Sequence, residues 1–250
     1  MIRGLYVAGT GMMVQRRLME TVTNNITNVE TTGYKKNYLI THSFDEVMLE
    51  RIQDAQFVGM KPQVGNMTFG ALVDQVYQDF SQGSFEATGR ATDLALAGDG
   101  FFVLSTPEGE RYTRAGAFAL TVDGYLCDPS GNYLLGRNGR INVGNGDFAV
   151  DERGDIIANG QYIDTVRTVS FTDNNTLRST GGNRFSATAG AVEGSNAVIK
   201  QGFIENSNVA VSREMVDMIT VYRAYETNQK ILTMIDETLG RAVNEIGALR

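Results

Sequence analysis

Few residues of this chain have types and spacing that could do chemistry. The first set is Gly9-Thr10-Gly11, behind the apolar run Leu5-Tyr6-Val7-Ala8. A strand running into Gly-x-Gly at a helix start is the turn that receives a dinucleotide pyrophosphate, and Glu30 stands about where the ribose-binding acid would fall. Three features speak against it. The third glycine position is Val14, and Thr23-Asn24-Asn25-Ile26-Thr27-Asn28 is too polar for the next buried parallel strand. A seven-residue apolar repeat also runs straight through the glycines. The single histidine, His42, lies in Thr41-His42-Ser43 with no cysteine or nucleophile motif nearby, so it reads as a solvated polar residue and not as a metal ligand. Asp151, Glu152 and Asp155 lack the spacing of a calcium loop. Arg153-Gly154-Asp155, between Val150 and Ile156, reads as a hairpin turn and not as an adhesion tripeptide. The single cysteine, Cys127, cannot form an internal disulfide and lacks the companions of a zinc site, so it is expected to be a small buried hydrophobe. No nucleophile, base and orienting group stand together. The expectation is a chain without catalytic residues, metal or cofactor.

These residues are carried by helical ends and a strand-rich middle. Leu5, Met12, Met19 and Ile26 recur every seven residues, and Ala8, Gln15, Val22 and Val29 follow three residues on from each. The two tracks form the apolar stripe of a coiled coil, which stops at Thr31-Thr32-Gly33. At the other end Val211, Met218, Tyr225, Leu232, Leu239 and Ile246 are spaced by seven, with Met215, Tyr222, Gln229, Asp236 and Val243 as the accompanying track. A helix from Val209 to Ile246 would run ~57 Å at the usual rise, and an amphipathic helix of that length needs a partner for its stripe.

In the middle, Phe101–Leu104, Ala117–Leu120 and Val166–Phe171 read as strands. Asp99-Gly100, Glu108-Gly109, Asp123-Gly124, Asn138-Gly139 and Asn159-Gly160 read as turns between strands of an antiparallel sheet. The expected divisions are an N-terminal helix and turn over 1–36, a mixed connecting segment over 37–93, a β-rich domain over 94–201 and a C-terminal helix over 202–250. The connecting segment is expected to hold a short helix around Asp45–Arg51 and a strand at Ala71–Asp79. The fold class is α+β, with paired, coiled-coil-like terminal helices and a β-rich centre.

The bulk composition agrees with a packed domain. Of 250 residues, 42% are hydrophobic and 20% charged, with 28 Gly, 3 Pro and no Trp, which suits many tight turns. A net charge of −7 with scattered Lys and Arg argues against a nucleic-acid partner. No apolar run is long enough to span a membrane, and the N-terminus has no cleavable secretory leader, so ordinary rules would read a cytoplasmic protein.

Two segments go further. Asn24-Asn25-Ile26-Thr27-Asn28-Val29-Glu30-Thr31-Thr32-Gly33-Tyr34-Lys35-Lys36 resembles the NN-(I/L)-x-N-x-x-T-x-G-(F/Y)-K signature that closes the N-terminal helix of flagellar rod and hook proteins. Glu205-Asn206-Ser207-Asn208-Val209, leading to Met215–Ile219 and Arg223-Ala224-Tyr225-Glu226, resembles the C-terminal signature of the same family. Asp93–Phe102 and Tyr112–Phe118 resemble its central sheet region.

The resemblance covers 1–45, 85–140 and 200–250 in the family's order. It implies a structural subunit of the bacterial flagellar basal-body rod, in the cell envelope. The subunit would be exported by the flagellar type III apparatus without a cleaved leader and would assemble with itself and neighbouring axial proteins. No nucleic acid, small-molecule substrate or direct membrane insertion is expected. The assembly interface is expected at Leu5, Met12, Met19, Asn24, Asn25, Ile26, Asn28, Gly33, Val211, Met218, Tyr222, Tyr225, Leu232, Leu239 and Ile246. Asn24, Asn25 and Asn28 could bridge neighbouring subunits or cap the helix end, and Gly33 would supply the turn that leads out of the helix.

Hook proteins are longer and carry an added outer domain. Distal-rod proteins usually have a longer segment where this chain has Phe44–Gly70. The tail Asp236–Glu245 also leans to the proximal-rod type, which is favoured. The alternatives are a distal-rod or hook-type axial protein, or an exported filament-associated adhesin using the sheet as a ligand surface.

Overall fold

The computed structural model describes residues 2–50, 63–144, 146–187, 192–193 and 197–246. The fold is α+β, with a helix at each end and short strands between. The chain divides into two compact units: Met1–Ile26, Asn37–Tyr77 and Val211–Arg250 form the first, and Thr27–Lys36 with Gln78–Ala210 the second. The segment 37–93, expected as one connector, is thus shared between them. Residues 27–36 and 202–210, expected with the helices, belong to the β-rich unit.

In the first unit, helix α1 spans Ile2–Thr27 and is free of proline. Helix α2 spans Val211–Arg241, with Glu214 in its first turn and Arg241 in its last, the charge placement that the helix dipole favours. The helix expected over Val209–Ile246 is therefore shorter. Val209 lies before it, and Ala242–Ile246 wind as a π-helical turn that takes an extra residue into the repeat. Strand β1 (Asn37–Ser43) carries the exposed His42, β2 covers Val47–Glu50, β3 Gln63–Met67 and β4 Ala71–Gln78. They form two ribbons, β1 with β4 and β2 with β3. The strand expected at Ala71–Asp79 is present as β4. The short helix expected around Asp45–Arg51 is not: Val47, Met48 and Leu49 pair with Met67, Asn66 and Gly65, so a cross-strand partner overrides local preference. Arg51 lies outside the described residues.

The second unit carries the other strands. They are β5 (Phe85–Ala87), β6 (Leu94–Ala97), β7 (Phe101–Thr106), β8 (Gly109–Thr113), β9 (Ala119–Leu120), β10 (Leu126–Cys127), β11 (Tyr133–Leu134), β12 (Phe148–Val150), β13 (Asp155–Ala158), β14 (Gln161–Thr165), β15 (Thr168–Ser170), β16 (Leu177–Gly181), β17 (Arg184–Ala187), β18 (Val192–Glu193), β19 (Val198–Gln201) and β20 (Phe203–Glu205). The largest sheet runs β16-β17-β8-β7-β11-β10-β9, and β15 also pairs with β7. Phe101–Leu104 forms the start of β7, as its apolar run predicts. The segments Ala117–Leu120 and Val166–Phe171 yield only the short β9 and β15.

β7 is the centre of the packing because successive side chains point to opposite faces. Phe102 and Leu104 join Leu94, Leu96, Leu126, Leu134, Ile141 and Ile156 on one face. Phe101 and Val103 join Val169, Leu177 and Phe185 on the other. A strand covered on both faces reads as an unbroken apolar run. Tight turns connect the strands of the separate β12-β13-β14 sheet. Asn159 and Gly160, at φ 53° and 76°, join β13 to β14, the two positive angles that a tight hairpin requires. Arg153-Gly154-Asp155 turns β12 into β13, with the Gly154 amide donating to the Asp151 carbonyl at 2.8 Å. Cys127 is buried in β10, and burial, with the charge of Asp128, pushes its thiol pKa up, as suits a packing residue.

Leu104→Ala would open a cavity at the middle of this packing. Chemical denaturation should show a loss of about 3–5 kcal/mol, with the midpoint shifted and the slope unchanged.

Candidate assembly interface

The expected interface residues fall into two sites, one in each unit. In the first unit the two helices meet through short contacts. Asn25 is buried, and its amide nitrogen donates to Glu214 Oε2 at 3.0 Å and to the Asn37 carbonyl at 2.9 Å. Its amide oxygen accepts from the Asn37 backbone N–H at 2.9 Å. An amide both donates and accepts, so this one side chain ties α1 to β1 and to α2. A Cβ on Gly11 would lie 3.0 Å from Asn228 Nδ2, and one on Gly4 would lie 3.2 Å from Ile235 Cδ1. From Asn25–Glu214 to Gly11–Asn228 both helices advance fourteen residues in opposite directions, and from there to Gly4–Ile235 both advance seven. The helices are antiparallel along these contacts. Gly9, the other glycine of the decoy turn, has nothing within 4 Å of a Cβ, so close approach accounts only for Gly11.

This register corrects the accompanying track on α2. Met215, Tyr222, Gln229, Asp236 and Val243 all face solvent. The residues beside the half-buried Val211, Met218, Tyr225, Leu232 and Leu239 are instead Glu214, Val221, Asn228, Ile235 and Ala242, three residues on and not four. Both choices repeat every seven residues. The exposed apolar Met215, Tyr222 and Val243 made the wrong one look right. On α1, Ala8 and Val22 are buried, Met12, Gln15, Met19 and Ile26 are half-buried and Leu5 is exposed, while Val29 lies beyond the helix in the turn that follows it. Ile246 closes the π-helical turn.

In the second unit the two signatures meet each other. Gly33 has φ +65°, and a Cβ there would stand 2.5 Å from the Arg114 backbone carbon. Its N–H donates to the Glu205 carbonyl at 2.7 Å. Two residues on, the Lys35 ammonium, 0% exposed, donates to Glu205 Oε1 at 2.5 Å and to the Ser81 carbonyl at 2.8 Å. Glu205, also 0% exposed, accepts from the Gly83 N–H at 3.0 Å and pairs through Oε2 with Arg114 at 3.4 Å. Arg114 donates further to the Gly98 carbonyl at 2.7 Å and lies over the Phe101 ring. Asn208 accepts from the Lys36 N–H at 2.8 Å and donates to the Asp79 carbonyl at 2.9 Å. Asn28 serves the turn, accepting from the Thr31 hydroxyl at 3.2 Å, and Asn24 is exposed.

Burial draws the Lys35 pKa below the ordinary lysine range, and the charge and hydrogen bond of Glu205 oppose it. Arg114 is displaced the same way, by burial first and against Glu205. In the sequence Lys35, Arg114, Glu205 and Asn208 stand out only as members of the family motifs. The available signal was Glu205 at the end of Phe203-Ile204, a charge in a strand with an apolar face.

Comparison with known proteins fits this geometry. Residues 5–35 match the model described as flagella basal body rod protein, 95–158 the flagellar hook protein FlgE/F/G D1 domain, and 200–245 the flagellar basal body rod FlgEFG protein C-terminal region. The chain is 30% identical to the flagellar hook-basal body complex protein FlhO of Bacillus subtilis, over 100% of both chains. This chain belongs to the flagellar basal-body rod protein family. It is also 31% identical to the rod protein FlgG of Bacillus subtilis, over 98% of this chain and 99% of that one. To the rod protein FlgF of Caulobacter vibrioides it is 31% identical, over 100% of each. The first and last matched segments of this rod protein hold the two signatures that meet at Glu205.

Gly33→Ala in this rod protein combines a left-handed backbone angle with a steric overlap. Gly131→Ala carries only the angle, since its φ is +84° with nothing within 4 Å of a Cβ. Thermal or chemical denaturation should place the Gly131 change at about 1–2 kcal/mol and the Gly33 change well beyond it.

Proposed function

We propose that this rod subunit polymerises through its terminal helices, with α1 and α2 of one chain paired as an antiparallel coiled coil and the outward face of α2 taken by neighbouring axial subunits. The observation that carries this reading is the first three turns of α2. Val211, Met218 and Val221 turn inward, yet Met215 (52% exposed), Val216 (62%), Ile219 (55%) and Tyr222 (52%) turn outward. A helix apolar on both sides is a helix that something else covers. Tyr222 is thus kept as an interface residue, for contact between subunits and not within one. Leu232 and Leu239 serve the seam within the chain.

The protein acts by assembly and not by catalysis. Its relatives carry names of rod and hook-basal body proteins, which supports that reading. The partners are further copies of the chain and neighbouring axial proteins, and delivery is by the flagellar type III apparatus, as the family resemblance implies. The proximal rod is the favoured place. The tail Asp236–Glu245 leans to that type.

Ile219→Asp with Tyr222→Asp tests the outward face. Circular dichroism of the purified chain should show unchanged helix content, while cells carrying the variant make the protein but build no completed flagella. Normal swimming would show that this face is no interface.

A further inference from the structure

Two arginines of the large sheet share a cleft. Arg111 of β8 stands opposite Leu104 of β7, and Arg184 of β17 stands opposite Thr113, which in turn faces Phe102. Directly opposed residues lie on one face, so both arginines issue from the face that carries Phe102 and Leu104. With Thr106, Glu108, Asn132 and Thr180 they line a cleft of about 210 Å³. Their side chains are mostly withdrawn from water, at 19% and 23% exposure.

Neither guanidinium is fully met. Arg184 Nε donates to the Gly181 carbonyl at 3.3 Å, while Nη1 stands 3.7 Å from Asp128 Oδ2, too far for a hydrogen bond. Among the described residues neither Nη group of Arg184 has a hydrogen-bond partner. Asp128 is committed elsewhere: Oδ1 accepts from the Ser130 and Asn132 N–H groups, and Oδ2 from the Asn132 amide. Arg111 donates to the Glu110 carbonyl and to Glu108, both at 3.1 Å, but the Glu108 side chain is 78% exposed. An ion pair with one partner so well solvated contributes little. The cleft lining thus sets two cations against one carboxylate, in a chain whose net charge is −7.

We propose that this cleft is an anion site that takes one carboxylate, seated on the Nη groups of Arg184 and on Arg111 in place of Glu108. One negative charge balances the lining. The planar guanidinium fork receives a carboxylate through paired hydrogen bonds, a match that a chloride ion does not make. The carboxylate is that of a small free acid or of an acidic side chain on a second copy of the chain. The chemistry of recognition is the same for both.

NMR titration of the full-length protein with sodium acetate, against sodium chloride at equal ionic strength, tests it. The side-chain Nε–H signals of Arg111 and Arg184 and the backbone amides of Glu108 and Asn132 should move to saturation with acetate and not with chloride. Arg184→Gln and Arg111→Gln should each weaken acetate binding about tenfold or more, with unchanged circular dichroism. If one of them fails to fold, the other decides. Arg153→Gln, in the exposed turn between β12 and β13, should bind acetate as the parent does. Concentrating the protein without acetate reads the source: the same signals shift if a second copy supplies the carboxylate, and stay still if a free acid does. An equal response to both salts, no saturation, or full acetate binding in either folded variant would overturn the proposal.

Discussion

The carboxylate of Glu205 holds the two ends of the chain to the same place. It receives Lys35 from the N-terminal signature and Arg114 from the central sheet, and its carbonyl receives the Gly33 N–H. Burying three charged groups costs more than burying apolar ones of the same size, so such a cluster is weak evidence of extra stability. Its value lies in what it forbids. Any arrangement that separates the signatures leaves Lys35 or Arg114 as an uncompensated cation in a dry interior, and that penalty selects one way of joining the ends.

The helices of the first unit use a milder version of the same device. Two of the contacts between α1 and α2 are made at glycines, which alone fix neither register nor direction strongly. Asn25 and Glu214, hydrogen-bonded at 3.0 Å, are polar groups placed in the seam. Sliding the helices by one turn would bury both without each other, and polar seam residues are known to set register in this way. Gly4 and Gly11 add a steric limit, since a side chain at either would meet α2.

Much of this was legible in the residues. The heptad spacing announced both helices, and the apolar run Phe101–Leu104 announced the central strand. Asn159-Gly160 announced its hairpin. The spacing could not say whether the second track on α2 lies three or four residues on, because both repeat every seven, and only the partner helix decides. The ribbon at Val47–Glu50 was hidden for a similar reason, its strand character coming from β3. The buried charges were hidden by a sound rule, that Lys, Arg and Glu belong in water, which fails only where they meet one another.

The central claim is that both ends of one chain meet within one subunit. If the helix contacts continue in step, the pair between Asn25–Glu214 and Gly11–Asn228 is Leu18 with Val221, both half-buried. Cysteines at these two positions, with Cys127 buried and out of reach of mild oxidant, should form an intrachain disulfide in the purified monomer. The same link should appear in isolated basal bodies, seen as a faster-migrating single chain on non-reducing gels. Cross-links that join only different chains, or none at all in either sample, would contradict the account.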